Sequence, residues 1–199
     1  MGSTANKFTI NATNNSMSTG SFMVFQRDST MQQQVFSVAW MTQYANPNTN
    51  VNFTWEENYG FVFGQTGMLQ PGVRFLPMEE YQADLTTNNA ITLSDKGFTN
   101  QQFQSPSGRL YIQQDLSIPM GRLSVGIAIA NAPAMVVQAV PNMQTVFTPT
   151  PEYWIAFGNF NAGTVLDAYS INNSARLVFP SGNNTVNVTL NPNNTWSIH

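Results

Sequence analysis

The chain has no cysteine, a single histidine and little charge of either sign. Without thiols there is no disulfide framework, no thiolate nucleophile and no cysteine-based zinc site. The one imidazole belongs to His199, the last residue, so neither a histidine-based triad nor a multi-histidine metal centre can be assembled. No catalytic residue, no metal ligand and no cofactor-binding residue is therefore assigned, and the reading is of a non-enzymatic protein. Charged residues make up 9% of the 199, against roughly 25% in ordinary soluble domains. The formal net charge is -3, and the only lysines are Lys7 and Lys96. There is no basic field to attract a phosphate backbone, which excludes nucleic acid as a partner. No apolar run approaches the ~20 residues that span a bilayer, so membrane insertion is not expected. The opening "MGSTANKFTINATNN" lacks the charged and apolar regions of a Sec-type signal. It starts Met-Gly like a myristoylated chain, but Asn6 stands where that motif needs Ser or Thr. Cytoplasmic synthesis is expected, with export left to a non-classical route.

In place of charge the chain carries Asn, Gln, Thr and Ser, set between short runs rich in Val, Ile, Thr and aromatics. Such runs, bounded by Gly, Pro and Asn, are strands joined by turns. The candidates are "KFTINAT", "SFMVFQRD", "VFSVAWMTQYA", "NVNFTWEENYGFVFG", "AITLS", "RLYIQQD", "LSVGIAIA", "AMVVQAVP", "EYWIAFG", "ARLVFP", "NTVNVTLN" and "TWSIH". About a dozen strands predict an all-β chain folded as an antiparallel β-sandwich, jelly-roll-like, in a single domain over residues 1–199 with residues 1–6 as a flexible arm. One segment is ambiguous: Phe36, Trp40 and Tyr44 share a helical face, so "FSVAWMTQYA" fits a helical turn as well as a strand.

Three strands carry more detail. In "NTVNVTLN", Val186, Val188 and Leu190 alternate with Asn187 and Thr189, which predicts a half-solvated antiparallel strand. In "LSVGIAIA", Ser124, Gly126, Ala128 and Ala130 form a smooth face that lets another backbone approach. In "TPTPEYWIAFG", Pro149 and Pro151 enforce an extended entry, and pairing should begin near Glu152. Both faces of that strand are apolar. Tyr153, Ile155 and Phe157 are assigned to the inter-sheet core, and Trp154, on the other face, to a partly covered subunit contact.

The remaining acid/base candidates are carboxylates: the adjacent pairs Glu56-Glu57 and Glu79-Glu80, and Asp84, Asp115, Glu152 and Asp167. Adjacent residues on a strand point to opposite faces, so neither pair has the facing geometry of a glycosidase. No segment has the oxygen-ligand spacing of a calcium loop. Tyr and Trp faces stack on sugar rings and amides satisfy sugar hydroxyls, but Trp55 and Trp154 lie at strand spacing, which points first to packing. Asn-X-Thr sequons occur at Asn11, Asn52, Asn183 and Asn187, and would mean glycans only in a secreted eukaryotic protein.

Four blocks together, "SVAWMTQYANPNTNVNFTWEENYGFVFGQTGMLQPGVRF", "GRLYIQQDLSIPMGRLSVGI", "VVQAVPNMQTVFTPTPEYWIAFGNFNAGTVLD" and "TLNPNNTW", resemble the RhiA family of rhizosphere-expressed bacterial proteins. The likeness runs from about Val35 to Trp196, with Phe63 where the family pattern has Trp. It implies a bacterial origin, which removes the glycan reading of the sequons. It implies no activity, cofactor or catalytic motif that any residue here would inherit.

The leading expectation is a structural protein that self-associates into a homo-oligomer, filament or ordered inclusion, because scarce charge leaves many strand edges unguarded. The alternative is a carbohydrate-binding, lectin-like module using aromatics among Asn-rich loops such as "YANPNTN" and "NNSAR".

Overall fold

A computed structural model describes residues 6–27, 35–149, 152–168 and 171–199, and every regular element among them is a strand. The arm expected over residues 1–6 lies, apart from Asn6, outside the described residues. Among the described residues, eighteen strands form four sheets. Sheet A runs β18 (Trp196–Ile198), β17 (Thr185–Leu190), β1 (Lys7–Asn14), β5 (Thr49–Glu56). Sheet B runs β16 (Ser174–Arg176), β14 (Glu152–Gly158), β2 (Gly20–Arg27), β4 (Met41–Ala45). Sheet C runs β15 (Val165–Leu166), β3 (Phe36–Val38), β12 (Ala132–Gln138), β11 (Ser124–Ile129), β6 (Tyr59–Gly64), β7 (Glu79–Ala83). Sheet D runs β13 (Met143–Phe147), β10 (Leu110–Gln114), β8 (Ala90–Ser94), β9 (Gly97–Gln102).

The sheets stack in two sandwiches. Ile10, Phe53, Trp55, Val186, Val188 and Leu190 of sheet A interleave with Phe22, Val24, Tyr153 and Ile155 of sheet B. Phe61, Val125, Ile127, Met135 and Val137 of sheet C meet Ile91, Leu93, Phe98, Leu110, Ile112 and Phe147 of sheet D. Tyr59 packs against both clusters. Each fully buried aliphatic or Phe side chain contributes about 1.5–3 kcal/mol of transfer free energy, which is what drives the alternating faces inward.

The chain passes between the sandwiches at Ala39–Trp40. There the Ala39 N–H donates to the Thr164 carbonyl and the Trp40 N–H to Val24. This break corrects the helical-turn reading of "FSVAWMTQYA". Trp40 is buried with its indole N–H on the Ile129 carbonyl at 2.8 Å, while Tyr44 is exposed and Phe36 packs on sheet C. The three aromatics serve three places, not one helical face.

Two pairings are parallel, β1 with β17 and β10 with β8; the others are antiparallel. The antiparallel reading of "NTVNVTLN" therefore holds only towards β18. Alternation settles which side chains of β17 go inward, since Val186, Val188 and Leu190 are buried and Asn187 is exposed. It cannot settle the direction of a neighbouring strand, because both ladders share the period of two.

The small-residue face of β11 is covered by the chain itself. Val38, Val62, Ala128, Val136 and Val165 line the outer side of sheet C, and Leu69 and Phe75 from the β6–β7 connection lie over them. The cover is held by hydrogen bonds: Leu69 N–H to Gln138 Oε1 at 2.7 Å, Phe75 N–H to Gly163 O at 2.8 Å, and Val165 N–H to Val73 O at 2.8 Å. At Gly64, where the connection leaves the sheet, a Cβ would collide with the Leu76 carbonyl oxygen. That close approach is what the glycine permits.

Candidate functional site

β14 lies between β16 and β2, so both of its edges are hydrogen-bonded, and side chains of its two faces belong to two different apolar clusters. Tyr153 and Ile155 are buried between sheets A and B, the Tyr153 ring 5.2 Å from Trp55, 5.8 Å from Phe179 and 6.0 Å from Trp40. Burial, and secondarily the Glu57 carboxylate, push the Tyr153 phenol well above the usual tyrosine range, so it stays neutral. Phe157 is half-buried against the same cluster, 4.9 Å from Phe22. Trp154 points to the other side of sheet B and is half-buried there beside Met23, Phe25 and Ala156. The Arg27 guanidinium lies 3.8 Å over its ring, and Arg27 Nη2 donates to the Ala168 carbonyl and to Ser174 Oγ.

Three of the carboxylates, Asp84, Asp115 and Glu152, are occupied with structure. Asp84 Oδ1 accepts from the Thr86 N–H and hydroxyl and from the Thr87 N–H, and these bonds hold its carboxyl below the usual range. Asp115 Oδ1 accepts from the Ser117 N–H and hydroxyl. Glu152 pairs with Arg176 at 3.1 Å. Among the described residues no group of three or more His, Cys, Asp or Glu converges.

What does converge is neutral. A cleft of about 770 Å³ opens where β2, β4 and β14 end, lined by Ser21, Tyr44, Phe157, Asn159, Asn173 and Asn194 together with residues 18–20 and 158. None of the described lining residues is charged. Tyr44 is 63% exposed, its ring free to carry a flat apolar surface. Gly20 makes the wall possible, because a Cβ there would come within 3.0 Å of the Phe157 ring. Asn173 and Asn194 hold φ of 55° and 61°, a left-handed conformation that Asn tolerates. Asn173 is fixed further, its Oδ1 accepting from the Trp196 indole N–H at 3.0 Å. Tyr44 belongs to "YANPNTN" and Asn173 to "NNSAR", so the fold brings the two Asn-rich loops into one cleft. Ser21, Asn159 and Asn194 gave no sign in the sequence beyond their polarity.

A second neutral surface covers the outside of sheet A. Register places Asn11 between Asn187 and Asn52, with Thr9 between Thr185 and Thr54, and Thr13 between Thr189 and Asn50. The central row is a hydrogen-bonded amide ladder: Asn52 Nδ2 donates to Asn11 Oδ1 at 2.6 Å, and Asn11 Nδ2 to Asn187 Oδ1 at 2.8 Å. Thr54 Oγ1 donates to Asn52 Oδ1 at 2.8 Å. The sequon residues Asn11, Asn52 and Asn187 are these three Asn residues. Asn-X-Thr is the same-face spacing of a strand, and "TINAT" (residues 9–13) and "TVNVT" (residues 185–189) align in parallel. The recurrence of this five-residue pattern was the signal in the sequence for a shared face.

Comparison with known proteins identifies the lineage. The family model for RhiA matches residues 5–199. Protein RhiA of Rhizobium leguminosarum bv. viciae is 35% identical over 192 residues, covering 94% of this chain and 83% of the relative. No solved structure matches. An all-β sandwich chain matched over nearly its whole length in this way is a bacterial RhiA-like protein: it belongs to the RhiA family.

Proposed function

We propose that this protein is a non-enzymatic binding module for neutral carbohydrate, and that the cleft beside Tyr44 is its site. The observation that carries the reading is the cleft's composition: an exposed Tyr ring and a half-buried Phe157 ring face Asn159, Asn173, Asn194 and Ser21, with no charged side chain among them. A pyranose presents an apolar face, which stacks on an aromatic ring, and a rim of hydroxyls, which amides and hydroxyls satisfy as both donors and acceptors. An uncharged wall does not select for uronic acids or phosphorylated sugars. The volume lies in the range of small-ligand sites and holds a mono- or disaccharide. Screening the full chain on a glycan array, followed by calorimetry, tests this. Neutral glycans should bind, and Tyr44→Ala should abolish binding while leaving the melting temperature near that of the native chain, since Tyr44 is mostly exposed. No binding to any neutral glycan, or equal binding by Tyr44→Ala, contradicts the proposal.

Self-association is the second reading, and the outer face of sheet A favours it. The edges support it less than the charge-poor composition implies. β15, β16 and β18 are only two or three residues long, and β7 carries Glu79 and Glu80. β5 meets β4 through Gln43 Nε2 on the Asn52 carbonyl, and β9 meets β7 through Gln101 Nε2 on the Gln82 carbonyl. Short, charged or cornered edges resist pairing with another chain. Trp154, the contact expected from the sequence, carries the chain's own Arg27 on its ring. The broad amide and hydroxyl face of sheet A is left open.

A further inference from the structure

We infer that the outer face of sheet A is a self-recognition surface whose occupant is the same face of a second copy, related by a two-fold axis that runs along the strands between β1 and β5. The inference rests on the self-association reading and specifies its geometry. It starts from the end of the array, where the neutral rows give way to one charge of each sign: Lys7 and Glu56 are cross-strand partners, both exposed. A two-fold interface is isologous, so its surface must complement itself. An axis along β1 would set Lys7 against the partner copy's Lys7. An axis along β5 would set Glu56 against Glu56. An axis between the two strands exchanges them, so that every residue faces the copy of its own cross-strand neighbour. Lys7 then faces Glu56, Thr9 faces Thr54, Asn11 faces Asn52 and Thr13 faces Asn50, each pair occurring twice.

The chemistry of the rows fits this axis. Each amide has two donor hydrogens and two acceptor lone pairs. Within one chain Asn11 donates once, to Asn187, and accepts once, from Asn52. The ladder therefore holds the amides in fixed orientation and leaves them capacity towards a facing row. Stacked, interdigitating amide ladders of this type close the dry interfaces between paired sheets. Thr rows on either side add methyl groups and hydroxyls at the same spacing, and the only charges are the ones the axis neutralises.

The extent of the face sets the strength. Because β5 is the edge of sheet A, this axis overlaps only β1 and β5 of each copy, and two strands at ~4.8 Å with about five residues at ~3.3 Å give on the order of 150–200 Å². That is roughly a fifth of the ~800 Å² per partner in a standard stable interface, so the pairing should be weak, transient and seen only at high concentration.

Sedimentation velocity on the full chain over a wide concentration range, with charge-exchanged variants, tests the inference. The native chain should show reversible dimerisation. Lys7→Glu and Glu56→Lys should each weaken it by at least tenfold while thermal melts show both folded. An equimolar mixture of the two variants should associate again, because one copy then brings two acidic side chains against two basic ones on the other, a recovery no loss of folding can imitate. Thr13→Arg, at the far end of the array, should also abolish pairing, and stands in if a charge variant folds poorly. A native chain that associates equally well with Lys7→Glu and Thr13→Arg in place overturns this face as the contact while leaving self-association standing. A native chain that stays monomeric throughout overturns both. Retention of a monomer on neutral polysaccharide that depends on Asn11 overturns the second copy as the occupant.

Discussion

Sheet C turns Val38, Val62, Ala128, Val136 and Val165 outward and lays Leu69 and Phe75 of the same chain over them, whereas sheet A turns rows of Thr and Asn outward and leaves them open. Both faces come from strands with a buried inner side, and they differ in what the alternate residues are. An apolar outer face demands cover, and the β6–β7 connection supplies it. A neutral polar face needs none in water, so its regularity has no folding purpose of comparable size. The amide ladder contributes hydrogen bonds worth about 0.5–1.5 kcal/mol each, far less than a buried apolar cluster in its place would contribute. The contrast separates a surface kept for stability from one available for recognition.

The comparison can be broken by mutation. Phe75→Ala should have the largest effect, about 3–5 kcal/mol in denaturant unfolding, because it removes a fully buried ring from the cover of sheet C. Gly64→Ala should come next, at about 1–3 kcal/mol, since the new methyl group forces the Leu76 carbonyl and the covering segment away. Asn11→Ala, at the centre of the open face, should lower stability by only about 0.5–1 kcal/mol while removing self-association. If Asn11→Ala proves as damaging as Phe75→Ala, the open face is a structural element after all.

The smallest expected effect is electrostatic. Burial holds the Glu80 carboxyl above its usual range, and its buried Oε1 has no hydrogen-bond partner among the described residues. The raised folded value means that the native state binds this proton more readily than the unfolded chain. The group's contribution is therefore full below the unfolded value near 4.5 and is lost as pH rises through the folded value. Glu80→Gln should stabilise the protein at neutral pH by a few tenths of a kcal/mol, roughly the scale of a solvent-screened group. The gain should disappear in melts at about pH 4, where the native carboxyl is protonated too.

Much of this architecture is legible in the sequence, and the gaps have a common cause. β2, β11, β12 and β14 announce themselves because both of their faces are apolar and each lies inside its sheet. β7, β9 and β13, which the pattern does not announce, are sheet edges, where one side meets water and Glu, Asn, Gln or Met replaces Val and Ile; β15, also an edge, is a buried Val-Leu pair too short to make a pattern. The abundance of Asn has two separate origins. Six of the seven non-glycine residues with positive φ among the described residues are Asn, serving turns such as those at Asn48 and Asn142. Asn11, Asn52 and Asn187 serve the ladder instead. Composition counts the two together, and only register tells them apart. The cleft was legible in its two loops but not in its other walls, because the sequence does not show which turns share one end of a sandwich.

Recognition is expected at the neutral surfaces and not at the covered one. Side-chain amide and methyl resonances of the full chain, followed by NMR first on dilution and then on addition of a neutral oligosaccharide, test it in one series. Dilution should shift the Asn11, Asn52 and Asn187 amides, the oligosaccharide should shift those of Asn159, Asn173 and Asn194, and the Leu69 and Val136 methyl signals should move in neither. Shifts at Leu69 and Val136 with the Asn resonances unmoved would contradict the account.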